Sequence, residues 1–236
     1  MLITSLAARA AMIDTAARSA RGTGSLSRRS LLIAAGAGVG ALSLAGCSSM
    51  GGMSLAEAQH VYGPVPQEKF PIPAVNLAKL DSKYYRRTVP YKTAEAPGTI
   101  IIDPKNHYVY RVEDGKTATR YGANVGRDGF RWAGDVTVGR KGEWATWTPP
   151  KEMIERQPEA AKYAAGMPGG LDNPLGARTL YLYQGDQYTL YTIYATSHPE
   201  SIGKGVTSGC TGLLSQDMID LYDKTPVGTK VVMLPS

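Results

Sequence analysis

The residue in this 236-residue chain that is best suited to covalent chemistry is Cys210, which ends the motif Thr207-Ser208-Gly209-Cys210. The only other cysteine, Cys47, closes Leu44-Ala45-Gly46-Cys47. That pattern is typical of the site at which a lipoprotein is cleaved and its cysteine acylated. A lipid-bearing Cys47 leaves Cys210 no second cysteine for an intrachain disulfide. The remaining thiol is then either a small buried apolar residue or a nucleophile.

Three histidines, His60, His107 and His198, could also do acid–base chemistry near neutral pH. Their scattered positions match no zinc-ligand spacing, so the sequence predicts no metal site and no other cofactor. His198 lies in the loop that leads to Cys210, where it is either a base or a solvated surface residue.

Residues 1–46 have the pattern of an export signal. Ser27–Leu32 contains the twin arginines Arg28 and Arg29, and the apolar stretch Leu31–Leu44 follows. This stretch is too short to cross a bilayer as a helix, which takes about 20 residues. We predict a Tat-type lipoprotein signal peptide, a lipid anchor at Cys47 that holds the protein to a membrane, and export to the periplasm or cell envelope. A short hydrophobic tail anchor is the alternative.

The net charge of +6 belongs mostly to this first segment. Five arginines and one aspartate precede Cys47, so the chain without residues 1–46 has a net charge of +2. No patch of lysine and arginine interleaved with aromatic residues remains, and the sequence therefore predicts no nucleic-acid partner. About 190 residues are enough for one domain and a linker.

The remaining chain divides at about residue 97. Residues 47–96 are rich in proline and glycine and predict a tether with little regular structure. Residues 97–236 predict a mostly β domain, a sandwich or barrel with a few short helices. Its strand-like segments are Thr99–Asp103, His107–Val112, Ala118–Asn124, Val136–Val138, Thr179–Tyr183, Tyr188–Tyr194 and Lys230–Leu234. Short helices are predicted at Lys151–Arg156 and after Ser215, which has the properties of an N-cap.

A set of motifs in this order resembles the L,D-transpeptidase family, the YkuD-type catalytic domain, over about 140 residues. The motifs are Pro97–Ile100, Tyr121–Gly122 through Arg127, Trp147–Pro150, Asn173–Arg178, Ser201–Gly203, Thr207–Cys210 and Asp217 to Thr229. A lone Ser/Thr-x-Gly-Cys motif is weak evidence, whereas the ordered set is specific.

The resemblance implies a β-rich fold and acyl transfer on the stem peptides of peptidoglycan. Cys210 would attack the carbonyl of the third stem residue, expel D-alanine and pass the acyl group to an amine on another stem or on a lipoprotein. Gly209 allows a backbone conformation that a bulkier residue would resist, and Ser208 stands where the family often has a histidine. The resemblance also makes Thr196, Thr207 and Arg178 candidates for substrate contact; a structural ion pair is the alternative for Arg178.

The chain departs from the family pattern at two positions. The family histidine that lies sixteen residues before the cysteine is Tyr194 here, and the family arginine two residues after it is Gly212. A thiol without help has a pKa of about 8.5 and a phenol one of about 10, so a tyrosine is a poor base.

Three interpretations follow from these departures. In the first, Tyr194 replaces the histidine in a slower transferase; in the second, His198 acts as the base; in the third, the domain is a pseudo-enzyme that still binds wall peptides. A carboxypeptidase that passes the acyl group to water is a further alternative within enzymes.

Overall fold

The computed structural model describes residues 53–126, 134–205 and 210–235. These residues form three α-helices, nine strands and four short 3-10 helices. The helices are α1 (Leu55–Val61), α2 (Lys151–Arg156) and α3 (Ser215–Asp223). The strands are β1 (Arg87–Pro90), β2 (Ile100–Asp103), β3 (Tyr108–Val112), β4 (Thr117–Val125), β5 (Gly134–Glu143), β6 (Arg178–Gln184), β7 (Gln187–Ala195), β8 (Thr211–Leu213) and β9 (Lys230–Met233). The 3-10 helices are Leu77–Lys79, Ser82–Tyr84, Pro158–Tyr163 and Pro199–Ser201.

Eight of the strands close into a barrel. Their order is β4-β3-β2-β9-β5-β6-β7-β8, and β8 pairs back onto β4. The pairs β2–β9 and β7–β8 are parallel, and the others are antiparallel. The long strand β4 is shared, because β1 pairs with its first half and β8 with its second half. The predicted mostly β fold with few short helices is confirmed.

The barrel core follows the alternation of side chains along the strands. Tyr121, Ala123 and Val125 of β4 point into it, as do Ile193 and Ala195 of β7. Residues between them, such as Asn124 and Tyr194, therefore lie on the opposite face of their strands. The helix α3 covers the core with Met218 and Leu221, both fully buried. This alternation decides which side chains are available at the outer face of the barrel.

The strand and helix predictions differ from the structure in two details. Strand β5 runs from Gly134 to Glu143 and is much longer than the predicted Val136–Val138. Ser215 is the first residue of α3 and not its N-cap; Leu214 holds the N-cap position and makes no side-chain capping bond. Hydrophobic Leu214 is fully buried there, so packing and not capping fixes the start of this helix.

Residues 53–96, predicted as part of a tether with little regular structure, are folded onto the barrel. Helix α1 begins after Ser54, which forms a capping box with Glu57: each backbone N–H donates to the other residue's side chain. Tyr62, Leu80 and Tyr85 form a buried cluster with Ile202 and Leu214. The prolines of this segment separate short elements, and the apolar residues between them, including Tyr85, pack against residues of the following domain.

The described part of the chain contains no helix with the length and apolar character needed to cross a membrane.

Candidate active site

A row of three residues crosses the barrel wall next to Cys210. Asn124 of β4 pairs in register with Gly212 of β8, and Gly212 pairs in register with Tyr194 of β7. Side chains at register positions point to the same face of a sheet. Because Gly212 has no side chain, Asn124 and Tyr194 can meet over the middle strand.

Asn124 is buried and has a hydrogen-bond partner for each of its polar atoms. Its Oδ1 accepts from the backbone N–H of Gly212 at 2.7 Å, and its Nδ2 donates to Oγ of Ser201 at 2.5 Å. The residue therefore joins β4, β8 and the loop that carries Ser201.

Cys210 lies directly before β8 and is partly exposed. Its Sγ lies 3.8 Å from the backbone carbonyl oxygen of Leu190, to which the thiol donates. A sulfur at the surface can be reached by a substrate, unlike one in the barrel core. The position therefore meets the first requirement of a nucleophile.

Leu190 owes its position to a bulge in β7. Tyr188 pairs with Tyr183 and Thr192 with Tyr181, so β7 carries two residues more than β6 between these pairs. Leu190 sits within the bulge at φ +67° with 63% of its surface exposed. A leucine in the left-handed region is strained, and such residues cluster at functional sites. Here the bulge turns the Leu190 carbonyl toward the sulfur.

The pKa values of two tyrosines of β7, Tyr188 and Tyr194, depend on Cys210. Burial raises the pKa of Tyr194 well above its ordinary value, a negative charge on Cys210 raises it further, and the Asn124 hydrogen bond lowers it in part. Burial and the charge of Cys210 also raise the pKa of Tyr188. Tyr194 is therefore protonated at neutral pH, where it can donate a hydrogen bond but cannot accept the thiol proton.

The two candidates at the end of β7 have other contacts. His198 is exposed, its Nδ1 lies 3.2 Å from Oε1 of Glu200, and its backbone N–H donates to Oγ1 of Thr196 at 3.1 Å. Thr196 is buried and lines a cavity of about 410 Å³ together with residues that include Leu171 and Gln216. In this arrangement the His198 side chain is held by a neighbouring carboxylate at the surface.

Arg178 has the ion-pair role that the sequence left open. Its guanidinium makes two hydrogen bonds to the carboxylate of Glu68, at 2.6 and 3.0 Å. Trp144 donates its indole N–H to the same carboxylate at 2.9 Å. The side chains of both Arg178 and Glu68 are about nine-tenths buried, so this pair fastens residues 53–96 to β6.

Several predicted residues lie outside the described part of the chain. These are Thr207, Ser208 and Gly209 of the cysteine motif and the predicted lipidation site, Cys47. Among residues 53–126, 134–205 and 210–235, no group of His, Cys, Asp and Glu has the arrangement of a metal site.

The sequence interpretation missed Asn124 and Leu190. An asparagine between Ala123 and Val125, in a strand that is otherwise apolar, is a signal for a buried polar contact. Its partner could not be read from the sequence, because β4 and β8 are 88 residues apart at this pair. Leu190 carries no signal, since a leucine in a strand predicts regular pairing.

The fold and the site together define a closed β-barrel protein whose candidate site is centred on a cysteine at the start of a strand. Residues 97–233 match the family model of the YkuD L,D-transpeptidase catalytic domain. The chain belongs to this family, as its motifs predicted.

The chain is similar to several named relatives. It is 31% identical over 142 residues to the probable L,D-transpeptidase ErfK/SrfK of Escherichia coli K12, which covers 58% of this chain and 44% of that protein. It is 38% identical over 95 residues to the probable L,D-transpeptidase YbiS of the same strain, covering 40% and 29% respectively. The chain thus spans less than half the length of either relative.

Two solved structures are also similar. A probable carnitine operon oxidoreductase from Brucella melitensis is 42% identical, with 67% of this chain and 99% of that chain covered and a TM-score of 0.47. An L,D-transpeptidase from Mycobacterium smegmatis is 20% identical, with 58% of each chain covered and a TM-score of 0.40.

Proposed function

We propose that this protein is a peptidoglycan L,D-transpeptidase that acts through a thioester on Cys210. The observation that carries the proposal is the partly exposed sulfur at the start of β8, next to the face that holds Tyr194. Membership of the family supplies the substrate class, which is the stem peptide. The acyl acceptor in the proposal is an amine on a second stem or on a lipoprotein.

The proposed reaction has two balanced steps. The Cys210 sulfur attacks the carbonyl carbon of the third stem residue; the S–C bond forms, the C–N bond to D-alanine breaks, and the thiol proton leaves with the D-alanine amine. The acceptor amine then attacks the thioester, and its proton returns to the sulfur as the new amide forms. The cleaved peptide bond supplies the energy, so the reaction needs no cofactor.

Tyr194 would act in this scheme as a hydrogen-bond donor and not as a base. Its raised pKa keeps the phenol protonated. A phenol beside the sulfur can stabilise negative charge on the thiolate as it attacks. Without an imidazole base, we expect turnover to be slow, because a positioned base contributes about 100- to 10,000-fold.

The same tyrosine favours one rival function, a wall-binding protein without activity on the same fold. Tyr194 occupies the position of the family's histidine base but keeps its proton. A protein that has lost the activity would be expected to show such a replacement. His198 is the weaker route to activity, since its side chain is exposed and contacts Glu200.

We also propose that residues 1–46 direct export and that Cys47 carries a lipid. A membrane-tethered protein outside the cytoplasm would have direct access to peptidoglycan. Palmitate labelling of the full chain, compared with Cys47→Ser, tests the anchor; equal labelling of both would refute it.

Acylation by a carbapenem, a β-lactam class that the family resemblance implies as a covalent inhibitor, tests the nucleophile. Intact-mass measurement should show one adduct on the full chain and none on Cys210→Ala. Thr211→Ser is a matched control beside the cysteine and should keep the adduct. No adduct on the wild type, combined with retained binding of a stem tetrapeptide, would favour the wall-binding function.

Product analysis then separates the enzyme classes. With a tetrapeptide donor and an amine acceptor, a transpeptidase releases D-alanine and forms a new amide in equal amounts. A carboxypeptidase releases D-alanine and leaves the free tripeptide. D-alanine release without the amide product would replace the transferase proposal with hydrolysis.

A further inference from the structure

The bulge in β7 is held by hydrogen bonds of its own. The hydroxyl of Thr189 donates to the backbone carbonyl of Leu182 at 2.7 Å and accepts from the backbone N–H of Tyr191 at 3.2 Å. One side chain therefore serves two backbone groups at the point where the regular pairing of β6 and β7 is interrupted. The bulge is thus a built part of the hairpin, and it determines where Leu190 lies relative to Cys210.

Leu190 and Cys210 both lie on the outside of the barrel. Ile193 of β7 pairs in register with Thr211 of β8, and both are fully buried, so their side chains point inward. Cys210 comes one residue before Thr211, and because side chains alternate along a strand, its sulfur belongs to the outer face. Leu190 comes three residues before Ile193, and the 63% exposure of its surface places it on the outside as well.

The contact between the backbone of Leu190 and the sulfur limits where a group bonded to Cys210 can lie. The carbonyl oxygen of Leu190 is 3.8 Å from Sγ of Cys210. An acyl carbon bonded to this sulfur, and the side chain of the residue to which that carbon belongs, lie only a few bonds further on. An acyl group on Cys210 is therefore within van der Waals reach of Leu190.

Leucine is an unfavourable residue at this position in the free protein. Its φ of +67° is in the left-handed region, which glycine and asparagine adopt with less strain. Its isobutyl group is mostly exposed and so adds little to the stability of the fold. Both features are explained if the side chain packs against a substrate, since strained residues cluster at such sites.

We propose that Leu190 is a specificity-determining residue whose side chain contacts the aliphatic part of the acyl group on Cys210. In the proposed reaction this acyl group is the third stem residue, a diamino acid, and its methylene chain packs against the isobutyl group of Leu190. The inference rests on the proposed function for the identity of the acyl group. The contact itself can be measured with any alkyl chain attached to the sulfur, without a wall substrate.

Maleimides with two alkyl chain lengths test the contact. All proteins carry Cys47→Ser in the full chain, so Cys210 is the only thiol. N-methylmaleimide and N-hexylmaleimide have the same reactive ring, so the ratio of their rates cancels any difference in thiol ionisation. This ratio is divided by that for N-acetylcysteine, which has no protein surface. Burial of one methylene group is worth about 4-fold, so contact over two of them should make the hexyl reagent about 10-fold faster with the parent protein.

Leu190→Asn removes the apolar surface and suits a positive φ, so its hexyl-to-methyl ratio should fall to about 1. Leu55→Asn is the matched control, because it makes the same change at a leucine of α1 that is also 63% exposed; its ratio should stay at about 10. A parent ratio no higher than that of N-acetylcysteine, or equal ratios for Leu190→Asn and Leu55→Asn, would overturn the inference. If Leu190→Asn does not fold, Leu190→Gly gives the same test, since glycine adopts a positive φ without strain.

Two tetrapeptide donors extend the test to the proposed substrate. Their third residues are diamino acids that differ by two methylene groups, and the readout is kcat/KM for D-alanine release. The wild type should prefer the longer side chain about 10-fold, and Leu190→Asn should release D-alanine from both donors at similar rates. The same preference in both proteins would contradict the inference. Failure of the proposed function looks different: the maleimide ratio would respond to Leu190 while neither tetrapeptide releases D-alanine.

Discussion

Asp217 should make the stability of this protein fall as the pH rises through neutrality. Its side chain is fully buried in α3, where it accepts a hydrogen bond from Tyr62 at 3.2 Å. Burial raises the pKa of its carboxyl from 3.8 to about 7, although Arg86, at 3.7 Å, opposes this. The test is Asp217→Asn, which keeps the shape of the side chain and removes its ionisation.

The sign and size of the effect follow from this pKa. A carboxyl whose pKa is higher in the folded than in the unfolded state contributes stability below its unfolded pKa, and that contribution is lost as the pH rises through the folded one. A difference of about three pKa units corresponds to about 4 kcal/mol as an upper limit. The free energy of unfolding of Asp217→Asn, relative to wild type, should therefore rise between pH 4 and pH 8 by up to about 4 kcal/mol.

Urea unfolding of both proteins at pH 4, 5, 6, 7 and 8 measures this difference. Asp220→Asn is the matched control on the same helix. Burial acts to raise the Asp220 pKa, but hydrogen bonds from Tyr121 and Lys224 and the charge of Arg86 lower it overall. Its contribution is present above its unfolded pKa and is lost only as the pH falls below that value, so the stability of the control relative to wild type should change little between pH 5 and pH 8. Parallel curves for wild type and Asp217→Asn would refute the reasoning.

Three further predictions concern the site and its supports. Tyr194→His should raise carbapenem acylation at pH 7 about 100-fold, because an imidazole can take the thiol proton; a lower rate would show that the phenol has its own catalytic part. Glu68→Gln should lower the free energy of unfolding by about 3 kcal/mol in urea titrations, because it leaves Arg178 without its charge partner. Leu190→Gly should be more stable than Leu190→Ala by about 1 kcal/mol in the same assay, since only glycine adopts a positive φ without strain; the usual order of alanine above glycine would contradict this.

Local patterns were enough to predict most of the barrel strands. The hairpin of β6 and β7 is an example: two alternating segments flank the Gly185-Asp186 turn, and the structure pairs them there. The extent of β5 was harder to predict, because its glycines and charged residues weaken the pattern. Its position is fixed by pairing on both sides, with β6 and β9. These pairings cannot be predicted from the sequence of β5 alone.

The N-terminal segment shows a different limit. Proline and glycine content favours a linker, and the four-residue strand β1 is too short to give a pattern. Hydrogen bonds to residues far away in the sequence hold the segment in place: Tyr62 bonds to Asp217, and Glu68 bonds to Arg178. The sequence gives no sign of which residue each of these side chains bonds to.

The row of Asn124, Gly212 and Tyr194 next to Cys210 has a cost in stability. A buried amide left without partners costs about 1 to 3 kcal/mol, so Asn124 is tolerable only because Gly212 and Ser201 satisfy it. An apolar pair at positions 124 and 194 would fill the same space without that requirement. In a scaffold that only binds the wall, nothing opposes such a replacement. The structure instead uses Asn124 to bind the start of β8, two residues after Cys210, to β4 and to Ser201, so the amide fixes the backbone that carries the cysteine.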